Sequence, residues 1–164
     1  MPMPMISTYL EPVITKPQVL IPAFIEYIEK QNLEFDAILC RGTSGIIPAS
    51  IIGYLLDVPV VVVRKHEETS HSYTNFEGQC YDRYIIIDDM IDSGATIDAI
   101  IKEAKDAAKI PNNWIGRKCR ESKIVGIFLY NYAFSPKTRK KIKIYPFREY
   151  IFKHDEETFN EIYR

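Results

Sequence analysis

Hydrophobic and polar positions along the chain follow two rhythms. Four apolar runs have strand length: Phe35 to Cys40, Val58 to Val63, Tyr84 to Asp88 and Ile124 to Tyr130. They are continuous and rich in β-branched residues rather than alternating, as expected of strands buried on both faces of a parallel sheet. Helix-length segments stand between them. One begins near Pro17 or Pro22 and runs to about Gln31, with Phe24, Tyr27 and Ile28 on its buried face; a second covers Ile46 to Leu56, with Pro48 in its first turn; a third covers Thr96 to roughly Lys109. The remaining stretches carry no clear period. Residues 1–15 hold Pro2, Pro4 and Pro12 and are expected to be extended or loosely ordered. Residues 65–79 read as a long polar loop, and residues 111–122 as an irregular connection. After Asn131 come a basic loop, a strand at Lys141 to Tyr145 and an aromatic segment to Arg164.

Strands alternating with helices predict an α/β domain: a parallel twisted sheet with helices on both faces. Ligands of such folds lie outside the carboxyl ends of the strands. Loops 41–45, 65–79 and 88–96 all follow strands, so they are expected to converge on one edge.

At 164 residues the chain is expected to be a single domain with a substantial core. A net charge of −1 gives no reason to expect nucleic-acid binding, and no apolar run approaches a membrane span. The N-terminal MPMPM lacks the regions of a signal peptide. Cys40, Cys80 and Cys119 are an odd number without metal-site spacing, so a reducing, cytoplasmic setting is expected. His66, His71 and His154 lack zinc-ligand spacing, and Trp114 reads as a packing anchor. The cations at Lys137, Arg139, Lys140, Lys141 and Lys143 read as a solvated loop.

The stretch IIIDDMIDSGAT at residues 85–96 carries the most chemistry. A buried strand ends in two adjacent carboxylates, Asp88 and Asp89. Ser93, Gly94, Ala95 and Thr96 can then present backbone N–H groups and hydroxyls at a helix N-terminus, where a phosphate is well held. Carboxylates beside such a nest suit sugar hydroxyls, or a divalent cation carried by the ligand.

This stretch resembles the 5-phosphoribosyl-1-diphosphate (PRPP) signature of the type I phosphoribosyltransferases, with every defining position filled. Further elements resemble the family in the same order. RGTSGIIP at 41–48 is similar to its pyrophosphate-binding loop, which often contains a non-proline cis peptide. RKHEETSHS at 64–72 is similar to its catalytic loop, which closes over the reaction centre and excludes water. YPFREYIFKHDEE at 145–157 occupies the place of the hood that covers the base in the purine enzymes.

The resemblance implies a core over about 17–131 and a small C-terminal hood over about 132–164. Asp88 and Asp89 would hold the ribose hydroxyls, and Mg2+ mostly through the substrate. Asp92, Ser93, Gly94, Ala95 and Thr96 would hold the 5-phosphate. Arg41, Gly42, Thr43, Ser44, Gly45, Arg64 and Lys65 would hold pyrophosphate. Asp92, Lys65 and His71 would serve catalysis, and Tyr150 or Phe152 would stack on the base. The implied reaction moves ribose 5-phosphate from PRPP to a ring nitrogen of a nucleobase. Asp92 favours a 6-oxopurine acceptor, where a carboxylate handles the proton at N7. The 6-oxopurine enzymes place a Lys just after the strand matching Ile124 to Tyr130; here Asn131 and Tyr132 stand there, and Lys137 lies further on. Orotate is the alternative acceptor, and a non-catalytic PRPP or nucleotide sensor is the alternative of another class. The implied partners are small molecules, with no nucleic acid or membrane; homodimers are common in the family.

Overall fold

The computed structural model describes residues 9–65, 75–110, 121–132 and 138–164. The expectations for His66, His71, Trp114, Cys119 and Lys137 lie outside the described residues. The elements run α1 (Glu11–Thr15), α2 (Pro17–Glu29), β1 (Ala37–Cys40), α3 (Gly42–Leu56), β2 (Val60–Val63), β3 (Phe76–Glu77), β4 (Arg83–Asp88) and α4 (Ala95–Ala107). They continue as β5 (Lys123–Leu129), β6 (Thr138–Arg139), β7 (Ile142–Pro146), α5 (Phe147–His154) and α6 (Glu156–Tyr163).

The sheet has seven strands in the order β3-β2-β1-β4-β5-β7-β6. Its five central strands are parallel, and the two-residue β3 and β6 pair antiparallel at the edges. The fold is thus the expected α/β sheet, mixed only at its margins. Each central strand supplies two cores. Ile38, Cys40, Ile85 and Ile87 join α2, α3, α5 and α6 on one face. Ala37, Leu39, Tyr84 and Ile86 join Ile97, Ile100, Ile101, Ala104 and Ala107 of α4 on the other. Alternate residues point to opposite faces, and both faces are dry, which is why the strand sequences show no polar alternation.

Several segments differ from the sequence expectation. The described part of the N-terminal stretch holds the short helix α1, which starts with Pro12 in its first turn. The expected loop at 41–45 is the first turn of α3. Pro48 then lies inside that helix and has no N–H for the carbonyl of Ser44 four residues back. The Tyr130 hydroxyl donates to that carbonyl instead, at 2.8 Å. The helix therefore tolerates Pro48 because a tyrosine at the end of β5 replaces the missing donor.

The segment expected to be one loop at 65–79 contains β3, paired with β2 through Val62–Glu77 and Val63–Phe76. The basic run is a tight hairpin: β6 and β7 are joined by Lys140 and Lys141, both in the left-handed region at φ 48° and 68°. The aromatic tail forms α5 and α6, with Asp155 capping α6 by accepting the Thr158 N–H at 3.0 Å. Cys80 is disulfide-bonded, contrary to the expectation of reduced cysteines, while Cys40 is a free, fully buried thiol. No helix among the described residues is long and apolar enough to cross a membrane.

Candidate functional site

The strand order fixes where the site forms. The chain leaves β1 for β2 on one side and returns to β4 on the other, so the reversal lies between β1 and β4. Segments leaving the carboxyl ends of β1, β2 and β4 meet there, as expected of a topological switch point. They wall a cleft of about 580 Å³ lined by Arg41, Gly42, Thr43, Ser44 and Lys65, by every residue from Asp88 to Ile97, and by Tyr9 and Leu10.

On the β1 side, Arg41 is extended and Gly42 takes φ +69° to turn into α3. A Cβ on Gly42 would lie 3.6 Å from Lys65 Cε and 3.8 Å from its Nζ, so the Lys65 ammonium stands against this turn. Arg41 Nε is buried and has no hydrogen-bond partner among the described residues. A buried donor left unmet is costly, and an anion in the cleft would relieve it.

On the β4 side, Asp88 is 3% exposed. One of its oxygens accepts the Ser44 hydroxyl at 3.2 Å and the Asp89 N–H at 2.9 Å, linking the two walls. Burial, and next the Asp89 charge, push the Asp88 carboxyl well above the ordinary carboxylate range. Asp89 accepts the Met90 N–H at 2.8 Å. Beneath the cleft, burial and then the Asp88 charge push the Cys40 thiol up to about 12, so it is inert there.

The 93–96 turn is held from behind. Gly94 sits at φ +82° as the N-cap of α4 and has no side chain to cap it, and the Ala95 N–H, first of the helix, donates to the Ser93 hydroxyl at 3.3 Å. A Cβ on Gly94 would meet the Arg139 guanidinium, 2.6 Å from Nη2 and 2.7 Å from Nε. That guanidinium is clamped on Asp98 in the first turn of α4, by Nε at 3.1 Å and Nη2 at 2.6 Å. Gly94 is therefore required twice, for its backbone angle and for the cation packed on its Cα.

Asp88, Asp89, Asp92, Ser93, Gly94, Ala95, Thr96, Arg41, Gly42, Thr43, Ser44 and Lys65 are thus brought to one cleft. Four other candidates are placed elsewhere. Gly45 is buried against the sheet, where a Cβ would lie 3.1 Å from the Ile87 carbonyl oxygen; close packing explains this glycine. Arg64 forms an ion pair with Glu77, its Nε 3.0 Å from the carboxylate. Tyr150 packs on Tyr27, ring centroids 4.6 Å apart, and Phe152 lies edge-on to Phe159 at 5.0 Å and is 58% exposed. No cis peptide bond occurs among the described residues.

Tyr9 and Leu10 stand at the site without having been singled out by sequence reasoning, and Arg139, expected in a solvated loop, is instead held on Asp98 behind Gly94. The N-terminal strap is held by Asn131, which is buried and donates Nδ2 to the Tyr9 carbonyl at 3.1 Å. Asn131 in turn accepts from Arg148 Nη1 at 2.8 Å, whose guanidinium lies 4.0 Å from the Tyr132 ring centroid. Nothing local signals these roles, because each partner comes from a distant part of the chain. Two adjacent carboxylates are the acidic groups at the end of β4, and no cluster of three metal-ligating side chains occurs among the described residues. That donor set fits an ion such as Mg2+ carried on substrate phosphates rather than one caged by protein.

No protein-family model matches the chain. The fold matches adenine phosphoribosyltransferase from Saccharomyces cerevisiae at a TM-score of 0.61, with 17% identity over 82% of both chains. It matches orotate phosphoribosyltransferase from Aeropyrum pernix at 0.56, with 12% identity over 84% of this chain and 75% of the other. The chain has the type I phosphoribosyltransferase fold. Among curated proteins, the chain is 35% identical to orotate phosphoribosyltransferase of Coxiella burnetii over 81 residues, covering 48% of this chain and 39% of that protein. It is 29% identical to hypoxanthine/guanine phosphoribosyltransferase of Methanothermobacter thermautotrophicus over 107 residues, 57% of this chain and 55% of that protein. It is 31% identical to the transcriptional regulator GfcR of Methanocaldococcus jannaschii over 90 residues, 50% of this chain and 43% of that protein. The chain spans about half the length of the curated relatives it matches.

Proposed function

We propose that the chain transfers ribose 5-phosphate from PRPP to a nucleobase, releasing pyrophosphate. The observation that carries this reading is the convergence of Arg41 to Ser44, Lys65, the Asp88–Asp89 pair and the 92–96 turn on one cleft. Two anion-suited turns flank two carboxylates, which is the arrangement a sugar carrying phosphate at both ends requires. Asp88 and Asp89 take the ribose hydroxyls, residues 92–96 the 5-phosphate, and Arg41 to Ser44 with Lys65 the pyrophosphate. Asp88 and Asp89 would hold Mg2+ carried on the substrate phosphates, and the ion would supply neutralisation of charge on the leaving group. The transition state has oxocarbenium character, so catalysis rests on positioning and charge stabilisation, with Asp92 as the acid–base group.

Tyr150 and Phe152 do not line the cleft, so the base is assigned to the apolar residues that do. Tyr9, Leu10, Met90 and Ile91 line the cleft, and the Tyr9 ring stands edge-on to Tyr132 at 6.2 Å. A nucleobase lies there between the strap and the signature. Asp92 on the rim favours a 6-oxopurine, and orotate is the alternative acceptor. Pyrophosphate release is measured with Mg2+, PRPP and each of hypoxanthine, guanine, xanthine, adenine, orotate and uracil. Release with a purine supports the reading; release only with orotate overturns the role given to Asp92.

The likeness to a transcriptional regulator over 90 residues supports a second reading, a PRPP or nucleotide sensor built on the same cleft. PRPP binding without pyrophosphate release from any base would favour it.

A further inference from the structure

A second cavity, of about 520 Å³, lies between the end of α2, strand β7 and helix α5, and shares no lining residue with the cleft. Its walls are the rings of Tyr27, Tyr145 and Tyr150. These rings are fixed from behind: Tyr145 stacks on Phe128 at 4.6 Å and 9°, and Tyr27 packs on Tyr150 at 4.6 Å. Tyr27 and Tyr145 are each 6% exposed, yet the hydroxyl of neither makes a hydrogen bond among the described residues. Neither hydroxyl is among the buried polar atoms that lack a partner, so both oxygens remain open to solvent at the cavity and free to hydrogen-bond an occupant. Burial, then the neighbouring Tyr145, raise the Tyr27 pKa, so its hydroxyl stays protonated and available as a donor.

The rim supplies the charge. Lys143 and Lys153 line the cavity, are exposed, and enter no ion pair among the described residues. The Lys143 ammonium lies 4.6 Å from the Tyr145 ring centroid. Among the described residues, one carboxylate, Glu149, lines the cavity with these two ammonium groups, so the opening favours an anion. An aliphatic occupant would leave both hydroxyls unmet, and a cation would meet the lysines. A flat ring against the tyrosines, with acceptors for the hydroxyls and an anionic group toward the rim, satisfies all three features.

We propose that this cavity is a second ligand site, which takes a small aromatic anion of about the size of a nucleoside monophosphate and is separate from the cleft. The test is isothermal titration of the full chain with GMP, UMP and 1-naphthalenesulfonate, the last separating aromatic anions in general from nucleotides. Four proteins are compared: the unsubstituted chain, Lys143→Glu/Lys153→Glu, Tyr27→Phe/Tyr145→Phe and Gly94→Val. At least one probe is expected to bind, with Kd raised tenfold or more by the double charge reversal and changed less than twofold by Gly94→Val. Tyr27→Phe/Tyr145→Phe, which keeps both rings, is expected to weaken the same probe several-fold. The idea is overturned by binding of no probe, by affinity indifferent to the lysine reversal, or by loss of binding in Gly94→Val, which would place the probe in the cleft. A change of oligomeric state in the lysine variant would likewise overturn it, by showing that a second copy covers the cavity. Pyrophosphate release decides the transferase reading separately, so either can fail alone.

Discussion

Asp88 is a carboxyl group whose burial beside a second carboxylate costs the folded protein stability. Its carboxylate is withdrawn from water, and its neighbour Asp89 is a carboxylate too. The folded state therefore holds the proton of Asp88 more tightly than the unfolded chain does. Its contribution to stability is full below the unfolded value, a little under pH 4, and is lost as pH rises through the elevated folded value. Asp88→Asn keeps acceptors for Ser44 and the Asp89 N–H but cannot ionise. The variant should gain roughly 1–3 kcal/mol over the parent at pH 7, and little at pH 4, in urea unfolding. Equal stability at pH 7 would contradict this. The same variant should lose PRPP affinity, measured by titration with Mg2+ present. Asp92 differs because it stands exposed on the rim. Asp92→Asn should lower kcat by roughly 10²–10⁴-fold and leave KM for PRPP within a few-fold, as expected for removal of one acid–base group. Parallel loss in both would assign it to binding instead.

At the scale of elements, the 93–96 turn depends on a hairpin far from it in sequence. Lys140 and Lys141 adopt the left-handed turn that a two-residue hairpin needs, at positions where Asn or Gly would be favoured. That turn aims Arg139 at Gly94 and Asp98. Gly94→Val should abolish PRPP binding, because the side chain meets the guanidinium and closes the turn; unchanged affinity would place the 5-phosphate elsewhere. Arg139→Ala leaves the turn unsupported and Asp98 without its bidentate partner. It should weaken ribose 5-phosphate binding by about tenfold or more, by analogy with the cost of losing a well-placed charged contact. Arg139→Lys should recover little, since an ammonium cannot lie flat on Gly94 and hold both Asp98 oxygens. Full rescue by lysine would reduce the role to charge.

Across the whole molecule, Tyr130 ties the sheet to both α3 and α6. Its hydroxyl caps the Ser44 carbonyl freed by Pro48, and its carbonyl accepts the Tyr163 hydroxyl from α6. Tyr130→Phe leaves a buried carbonyl unmet and should cost about 1–3 kcal/mol in thermal or urea unfolding. Because that carbonyl belongs to the first turn of α3, pyrophosphate-side affinity should fall with stability. A Pro48→Ala/Tyr130→Phe double variant should recover part of the loss, since the substitution at position 48 restores the absent N–H; no recovery would show that the hydroxyl serves another purpose.

Apolar runs with β-branched residues and helical periods between them were enough to read the parallel strands, α2, α4 and the edge on which the candidate loops converge. Local order decides those features: each run buries itself whichever partner it finds, and the strand–carboxylate–glycine stretch builds its own turn. The helical first turn at 42–45 was not legible, because Pro48 argues for a later start and only Tyr130, far along the chain, removes the penalty. Gly45 and Gly94 look alike in sequence; one packs on Ile87 and the other under Arg139, and contact alone separates them. For the same reason Tyr150, expected over a ligand, packs on Tyr27, while Tyr9, from a stretch expected to be loose, reaches the cleft. Aromatic character says that a ring will be covered, while the path of the backbone decides by what. The chemistry of the cleft was thus written in short segments of the sequence. Its walls, its strap and the cavity beside α2 were decided by the tertiary structure, which brings together side chains whose separation along the chain carries no signal.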